Sequence, residues 1–201
     1  MTVSTGAKQS LFNTAQVLLN LGDECILPAP YWVSYVEIVK MADGIPVIVP
    51  TSVESDFKIT PKQLEEAITP KTKMIMFSSP CNPSGSVYNR EELTALAEVL
   101  KKYPNIFVVS DEIYEHINFT GNFCSIASID GMYDRTITVN GVSKAFAMTG
   151  WRIGYIGAPE FIAKACTKMQ GQITSGANSI AQQATIAAVL ADPKDINYMV
   201  E

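Results

Sequence analysis

The chain has 201 residues, 47% of them hydrophobic and 17% charged, with a formal net charge of −5. That supplies a core for one domain, or for one large part of a bigger protein, and the acidic balance without a basic run argues against a nucleic-acid partner. No apolar stretch is long enough to span a bilayer, so no membrane association is expected, and Met1–Gln9 lack the apolar core of a signal peptide.

In chain order, short apolar runs alternate with helical patterns. Glu24–Leu27 reads as a strand, and Tyr31 to Met41 carries apolar residues at helical spacing. Ile45–Val49 is a second strand. Thr60-Pro61 opens a helix to Ile68, with a capping residue followed by proline at the first helical position. Lys73–Phe77 is a strand, and Asn89 starts a helix running to about Lys102. Ile106–Val109, Thr136–Val139 and Ile153–Ile156 are further strands. Helices follow from Pro159 to about Gln172 and from Ser179 to Leu190. This alternation predicts an α/β fold, a mainly parallel sheet with helices on both faces.

Ligands of such sheets bind at the carboxyl ends of the strands. Asn82 follows the strand ending at Phe77, Asp111 and Tyr114 follow Val109, and Lys144 follows Val139. If these strands are parallel, an amide, an acid, a phenol and an amine converge on one pocket. An antiparallel strand would break part of that convergence. A lysine at the end of a buried strand is costly as a cation, which favours a neutral amine able to attack a carbonyl. Arg152, eight residues on, is a fixed charge suited to a phosphate. Together the two point to pyridoxal phosphate, held covalently with its phosphate clamped nearby.

The cysteines, Cys25, Cys81, Cys124 and Cys166, have no metal-type or redox-type spacing and read as reduced thiols of a cytoplasmic protein. With His116 the single histidine, no multi-histidine metal site is possible and no metal is expected.

Five ordered blocks carry a family resemblance: Gly6–Gln9, Pro30–Tyr35, Ser79-Pro-Cys-Asn-Pro-Ser-Gly85, Val109-Ser-Asp-Glu-Ile-Tyr114 and Ser143–Gly154. They resemble the signature blocks of class I aminotransferases, pyridoxal phosphate enzymes of fold type I, and most of all the bacterial aspartate aminotransferases, including those that also use prephenate. The resemblance implies transfer of an amino group between an amino acid, aspartate or glutamate, and a 2-oxo acid. Lys144 resembles the Schiff-base lysine that then moves the substrate proton. Asp111 resembles the partner of the pyridine nitrogen. Tyr114 and Asn82 resemble the groups bonded to the ring oxygen, and Asn82 also orients the substrate carboxylate. Trp32 resembles the ring stacked on the pyridine and meets substrate. Gly6, Ala7 and Lys8 resemble the phosphate loop, with Ser143 and Arg152 as further phosphate partners. The Lys8 side chain is the matching position for a contact to the substrate's distal carboxylate.

One departure stands out. Three residues before Lys144, many relatives carry a hydroxyl, and this chain has Gly141. The resemblance further implies that residues 1–201 cover part of the large cofactor-binding domain. The N-terminal segment, the C-terminal small domain, the arginine that clamps the substrate α-carboxylate and much of a homodimer contact would lie outside. Two alternatives remain open at this level: a carbon–sulfur lyase or other fold type I enzyme, and a cofactor-binding fragment without turnover. A nicotinamide-dependent oxidoreductase is set aside, because no Gly-x-Gly-x-x-Gly turn follows the first strand.

Overall fold

The computed structural model describes residues 1–199. Seven strands form one sheet: β1 (Thr2–Ser4), β2 (Glu24–Ala29), β3 (Ile45–Pro50), β4 (Thr72–Ser78), β5 (Phe107–Asp111), β6 (Thr136–Gly141) and β7 (Gly154–Gly157). Their order is β1-β7-β6-β5-β4-β2-β3. Strands β3, β2, β4, β5 and β6 run parallel, and β7 is antiparallel to both of its neighbours. The helices are α1 (Ala7–Leu18), α2 (Ser34–Met41), α3 (Pro61–Ala67), α4 (Arg90–Lys101), α5 (Glu160–Ile173) and α6 (Ser179–Leu190). The elements expected from periodicity are all present. Periodicity did not reveal β1, which at three residues shows no repeat.

Side chains alternate across each strand, and the alternation builds two cores. Cys25 and Leu27 of β2, Met74 and Met76 of β4 and Val109 of β5 pack under α1, α2 and α5. Ile26, Ile75, Phe77 and Val108 face the other way, onto Leu64 of α3 and Leu93, Leu96 and Leu100 of α4. The same parity governs the polar end of β5. Asp111 follows Val109 onto the α1 side, while Ser110 and Glu112 follow Val108 onto the α4 side.

Helix starts obey local chemistry. The Thr60 side chain accepts from the Gln63 amide, and Asn89 Oδ1 accepts from the Glu92 amide at 2.8 Å while Glu92 Oε2 accepts from the Asn89 amide. By contrast, Gly6 precedes α1 without any side-chain cap. Arg135 is 8% exposed; its guanidinium donates to the Leu100 carbonyl at 2.8 Å, to the Ile106 carbonyl at 2.9 Å and to the Tyr103 carbonyl. It ties the end of α4 to the amino end of β5, far from the carboxyl edge.

Strand direction decides what reaches that edge. Because β7 is antiparallel to β6, its first residue lies at the carboxyl edge. Because β1 is antiparallel to β7, it runs with β6 and ends there too. The reversed strand therefore adds to the convergence, since its contribution precedes the strand instead of following it. Gly141 of β6 pairs with Gly154 of β7. A Cβ on Gly141 would lie 2.7 Å from the Ile153 carbonyl oxygen, and one on Gly154 would lie 2.2 Å from the Ala7 nitrogen. On this backbone position 141 has no room for the side chain that would carry a hydroxyl.

Two outcomes are expected. Gly154→Ala forces backbone against backbone, which no rotamer can relieve, and should cost about 2–3 kcal/mol, read as a lower urea midpoint; an unchanged midpoint would contradict the packing. The second concerns Glu112. It is 3% exposed, accepts from Ser110 Oγ at 2.9 Å and Ser125 Oγ at 2.7 Å, and burial pushes its carboxyl up to about 7. The folded state thus binds this proton more tightly than the unfolded chain. The stability it contributes is complete below about pH 4.5 and is lost as pH rises through about 7. Glu112→Gln should remove that decline, shifting the stability difference between variant and wild type by about 3 kcal/mol in the variant's favour from pH 4 to pH 8. Parallel urea-unfolding profiles across that range would contradict it.

Candidate active site

The carboxyl edge opens into a cavity of about 190 Å³. Nine of the ten residues singled out from the sequence line it: Ala7, Lys8, Trp32, Asn82, Asp111, Tyr114, Ser143, Lys144 and Arg152. The tenth, Gly6, lies directly against Arg152.

That last contact is the tightest in the site. Gly6 has φ +81°, in the region that favours glycine. A Cβ there would fall 2.1 Å from Arg152 Nη2 and 2.7 Å from its Cζ. Arg152 itself is left-handed at φ +55°, a costly conformation for a side-chain-bearing residue. A short 3-10 turn over Thr149–Trp151 leads into it, and Arg152 Nη1 donates to the Thr149 carbonyl at 2.8 Å. Thr149 Oγ1 in turn donates to the Ser143 carbonyl at 2.9 Å, so the lysine and the arginine share one braced loop. The start of α1, uncapped by any side chain, points its first amides into the same corner. A guanidinium and a free helix N-terminus together make an anion cradle.

Asp111 occupies the floor. It is 4% exposed and burial pushes its carboxyl up to about 6, opposed by the Tyr35 hydrogen bond, the Ile113 amide and the charge of Lys144. Tyr35 OH donates to Asp111 Oδ2 at 2.8 Å, and the Ile113 amide donates to Oδ1 at 3.3 Å. The Tyr35 hydroxyl is itself held far above the ordinary phenol range by burial, and next by the charge of Asp111.

Lys144 departs from the sequence reading in one respect. Its side chain is exposed, so burial in the strand does not act on it. The cause is local: β6 ends at Gly141, and Val142–Ser143 turn the chain so that Lys144 projects into the cavity. Its Nζ lies 5.6 Å from the centre of the Tyr114 ring. Lys8 Nζ, also lining the cavity, stands 4.8 Å over the Trp32 ring. Ser143 is 8% exposed.

The sequence reading missed Leu11, Tyr35, Ser78, Ile113 and Thr149, which also line the cavity. Tyr35 and Thr149 lay inside quoted blocks, and Tyr35 is one helical turn after Trp32, with the two rings edge to face at 5.7 Å. That spacing was the available signal. Ser78 could have been found by strand parity, since it ends β4 beside Asp111. Among the described residues its buried Oγ has no hydrogen-bond partner, although it lies close to the Tyr35 hydroxyl.

The geometry can be set beside known proteins. Residues 1–201 match the family model described as aminotransferase class I and II. An aspartate/prephenate aminotransferase of Nitrosomonas europaea is 52% identical over 201 residues, covering 99% of this chain and 51% of its own. A bifunctional aspartate aminotransferase and glutamate/aspartate-prephenate aminotransferase of Petunia hybrida is 52% identical over 188 residues, 93% of this chain and 39% of its own. The crystal structure of the Rhizobium meliloti aspartate aminotransferase superposes with a TM-score of 0.97 at 44% identity, covering 99% of this chain and 50% of that one. The Thermus thermophilus aspartate aminotransferase with maleate gives 0.92 at 43% identity, covering 98% and 51%. The chain spans about half the length of the relatives it matches. By this match over its whole length, and by the ordered blocks now gathered at one cavity, the chain belongs to the class I and II aminotransferases.

Proposed function

We propose that this chain supplies the cofactor-holding part of an enzyme that moves an amino group between an amino acid and a 2-oxo acid. The observation that carries the reading is the meeting of Lys144 and Asp111 in one cavity, near enough for the lysine charge to act on the carboxylate, with Gly6 and Arg152 packed together beside them. Class I aminotransferases are pyridoxal phosphate-dependent, and the residues present fit that group. Gly6 lets the Arg152 guanidinium pack against the start of α1, the α1 amides lack a side-chain cap, and a buried carboxylate lies where a cationic ring nitrogen would relieve its burial.

Roles follow from chemistry. Arg152, Ser143 and the Gly6–Lys8 segment would hold the phosphate. Asp111 would keep the ring nitrogen protonated, Trp32 would cover the ring face, and Tyr114 and Asn82 would bond the ring oxygen. When bound, pyridoxal 5'-phosphate supplies a ring that draws in the charge released at the substrate α-carbon. Lys144 Nζ would provide the amine that holds the cofactor and, as a free amine, would carry the proton at the substrate α-carbon. Asn82 also orients the substrate α-carboxylate.

For the donor we favour aspartate or glutamate. Lys8 offers a cation at the cavity mouth that can meet a second carboxylate, and relatives named for aspartate, one of them with maleate, agree with it. A further clamp for the α-carboxylate would be needed from outside residues 1–201. Arg90, which donates to Ser128 Oγ, and the buried Arg135 are engaged elsewhere. The homodimer expected for the family is supported by α6, where Ile180 is 73% and Leu190 78% exposed, apolar surface that suits cover by further protein. The four free thiols suit a reducing cytoplasm.

Two tests bear on this reading. After incubation with pyridoxal 5'-phosphate and borohydride, peptide mapping should place the reduced adduct on Lys144; an adduct elsewhere, or none on folded protein, overturns the reading. In the complete reading frame, Asp111→Asn should slow α-proton removal by roughly 30- to 1,000-fold, the scale of 2–4 kcal/mol at a transition state, while cofactor affinity falls much less. Near-normal proton exchange of α-deuterated aspartate would show that Asp111 lacks this role.

A further inference from the structure

The buried pair of Tyr35 and Asp111 goes beyond the roles above. Tyr35 is 1% exposed, and its hydroxyl donates to Asp111 Oδ2 at 2.8 Å. A fully buried phenol directed at a carboxylate is a specific arrangement, because each group is costly to bury alone. With the Ile113 amide on Oδ1, both carboxylate oxygens are held, one by a backbone donor and one by a side chain. The rotation of Asp111 is thereby fixed with respect to the cavity. Tyr35 also meets the edge of Trp32, so one side chain sets both the floor and the lid of the ring site.

We propose that Tyr35 is a positioning residue for the ring-nitrogen contact: its hydroxyl holds Asp111 as an oriented anion so that the carboxylate can pair with a protonated pyridine nitrogen. The proposal rests on the cofactor reading above. Without the hydroxyl, Asp111 keeps only the Ile113 amide as a hydrogen-bond donor and the Lys144 charge, its burial weighs more heavily toward the neutral acid, and the ring nitrogen loses counter-charge.

The discriminating measurement compares equilibrium dissociation constants for pyridoxal 5'-phosphate and for 1-deazapyridoxal 5'-phosphate, in which carbon replaces the ring nitrogen. The two share the phosphate and the aldehyde, so their ratio reports the nitrogen contact alone. In the protein expressed from its complete reading frame, Tyr35→Phe keeps the ring and its packing on Trp32. The expected result is that the preference for the natural ring narrows about tenfold, the scale of one charge-assisted hydrogen bond. In an Asp111→Asn background the same substitution should leave the ratio unchanged. A Tyr35→Phe ratio equal to that of wild type overturns the proposal, even if both ligands bind more weakly, since that is the mark of a structural role. A wild-type protein that binds no pyridoxal 5'-phosphate overturns the cofactor reading and this proposal with it. If Tyr35→Phe does not fold, Tyr35→His and Tyr35→Leu take its place. The first retains a donor and must keep the larger ratio; equal ratios in the two overturn the proposal.

Discussion

The site depends on how closely two stretches of backbone approach one another. At the carboxyl edge, the turn from β1 into α1 lies on the first residue of β7, and Gly154 leaves only enough space for the Ala7 nitrogen. Gly141 sits on the far side of Gly154 in the sheet. Three thin residues in a row, Gly141, Gly154 and Gly6, bring a helix N-terminus and the Arg152 guanidinium into one corner. A side chain at any of the three would move the cradle away from the residues at the ends of β5 and β6. Close packing makes such a displacement costly, because the neighbours at Gly141 and Gly154 include backbone atoms that cannot rotate aside.

Charge is then distributed by strand parity. Consecutive carboxylates end β5, and alternation sends them to opposite faces of the sheet. Asp111 enters the cavity, with Tyr35 and the Ile113 amide bonded to it and the Lys144 charge acting on it. Glu112 goes to the α4 side, where the Ser110 and Ser125 hydroxyls hold it. Neighbours in sequence thus face different surroundings, one the cavity and one the α4 side. The cations divide in a similar way. Lys8, Lys144 and Arg152 are exposed around the cavity, while Arg135 is buried at the other end of the sheet holding carbonyls.

Much of this arrangement was legible in the sequence. Short apolar runs marked the five parallel strands and β7, and helical spacing and start signals marked five of the six helices. The rule that ligands sit at the carboxyl ends of parallel strands correctly grouped Asn82, Asp111, Tyr114 and Lys144. What sequence could not supply was direction and burial. It could not tell that β7 is reversed, nor that a three-residue β1 beside it carries Gly6 to the site. The burial argument for Lys144 did not hold, because a turn after Gly141 takes the side chain out of the sheet. The neighbour of Asp111 was hidden for a different reason. Tyr35 and Asp111 are 76 residues apart, and only the docking of α2 on the sheet brings them together.

The central claim is that one edge gathers a phosphate cradle, a ring-nitrogen partner and an amine around a single cavity. A crystal structure of the protein grown with pyridoxal 5'-phosphate tests it most directly. The account predicts the phosphate against the Gly6–Lys8 amides and Arg152, the ring nitrogen at Asp111, and continuous density from the aldehyde carbon to Lys144 Nζ. A phosphate bound elsewhere, or a ring nitrogen turned away from Asp111, would contradict it.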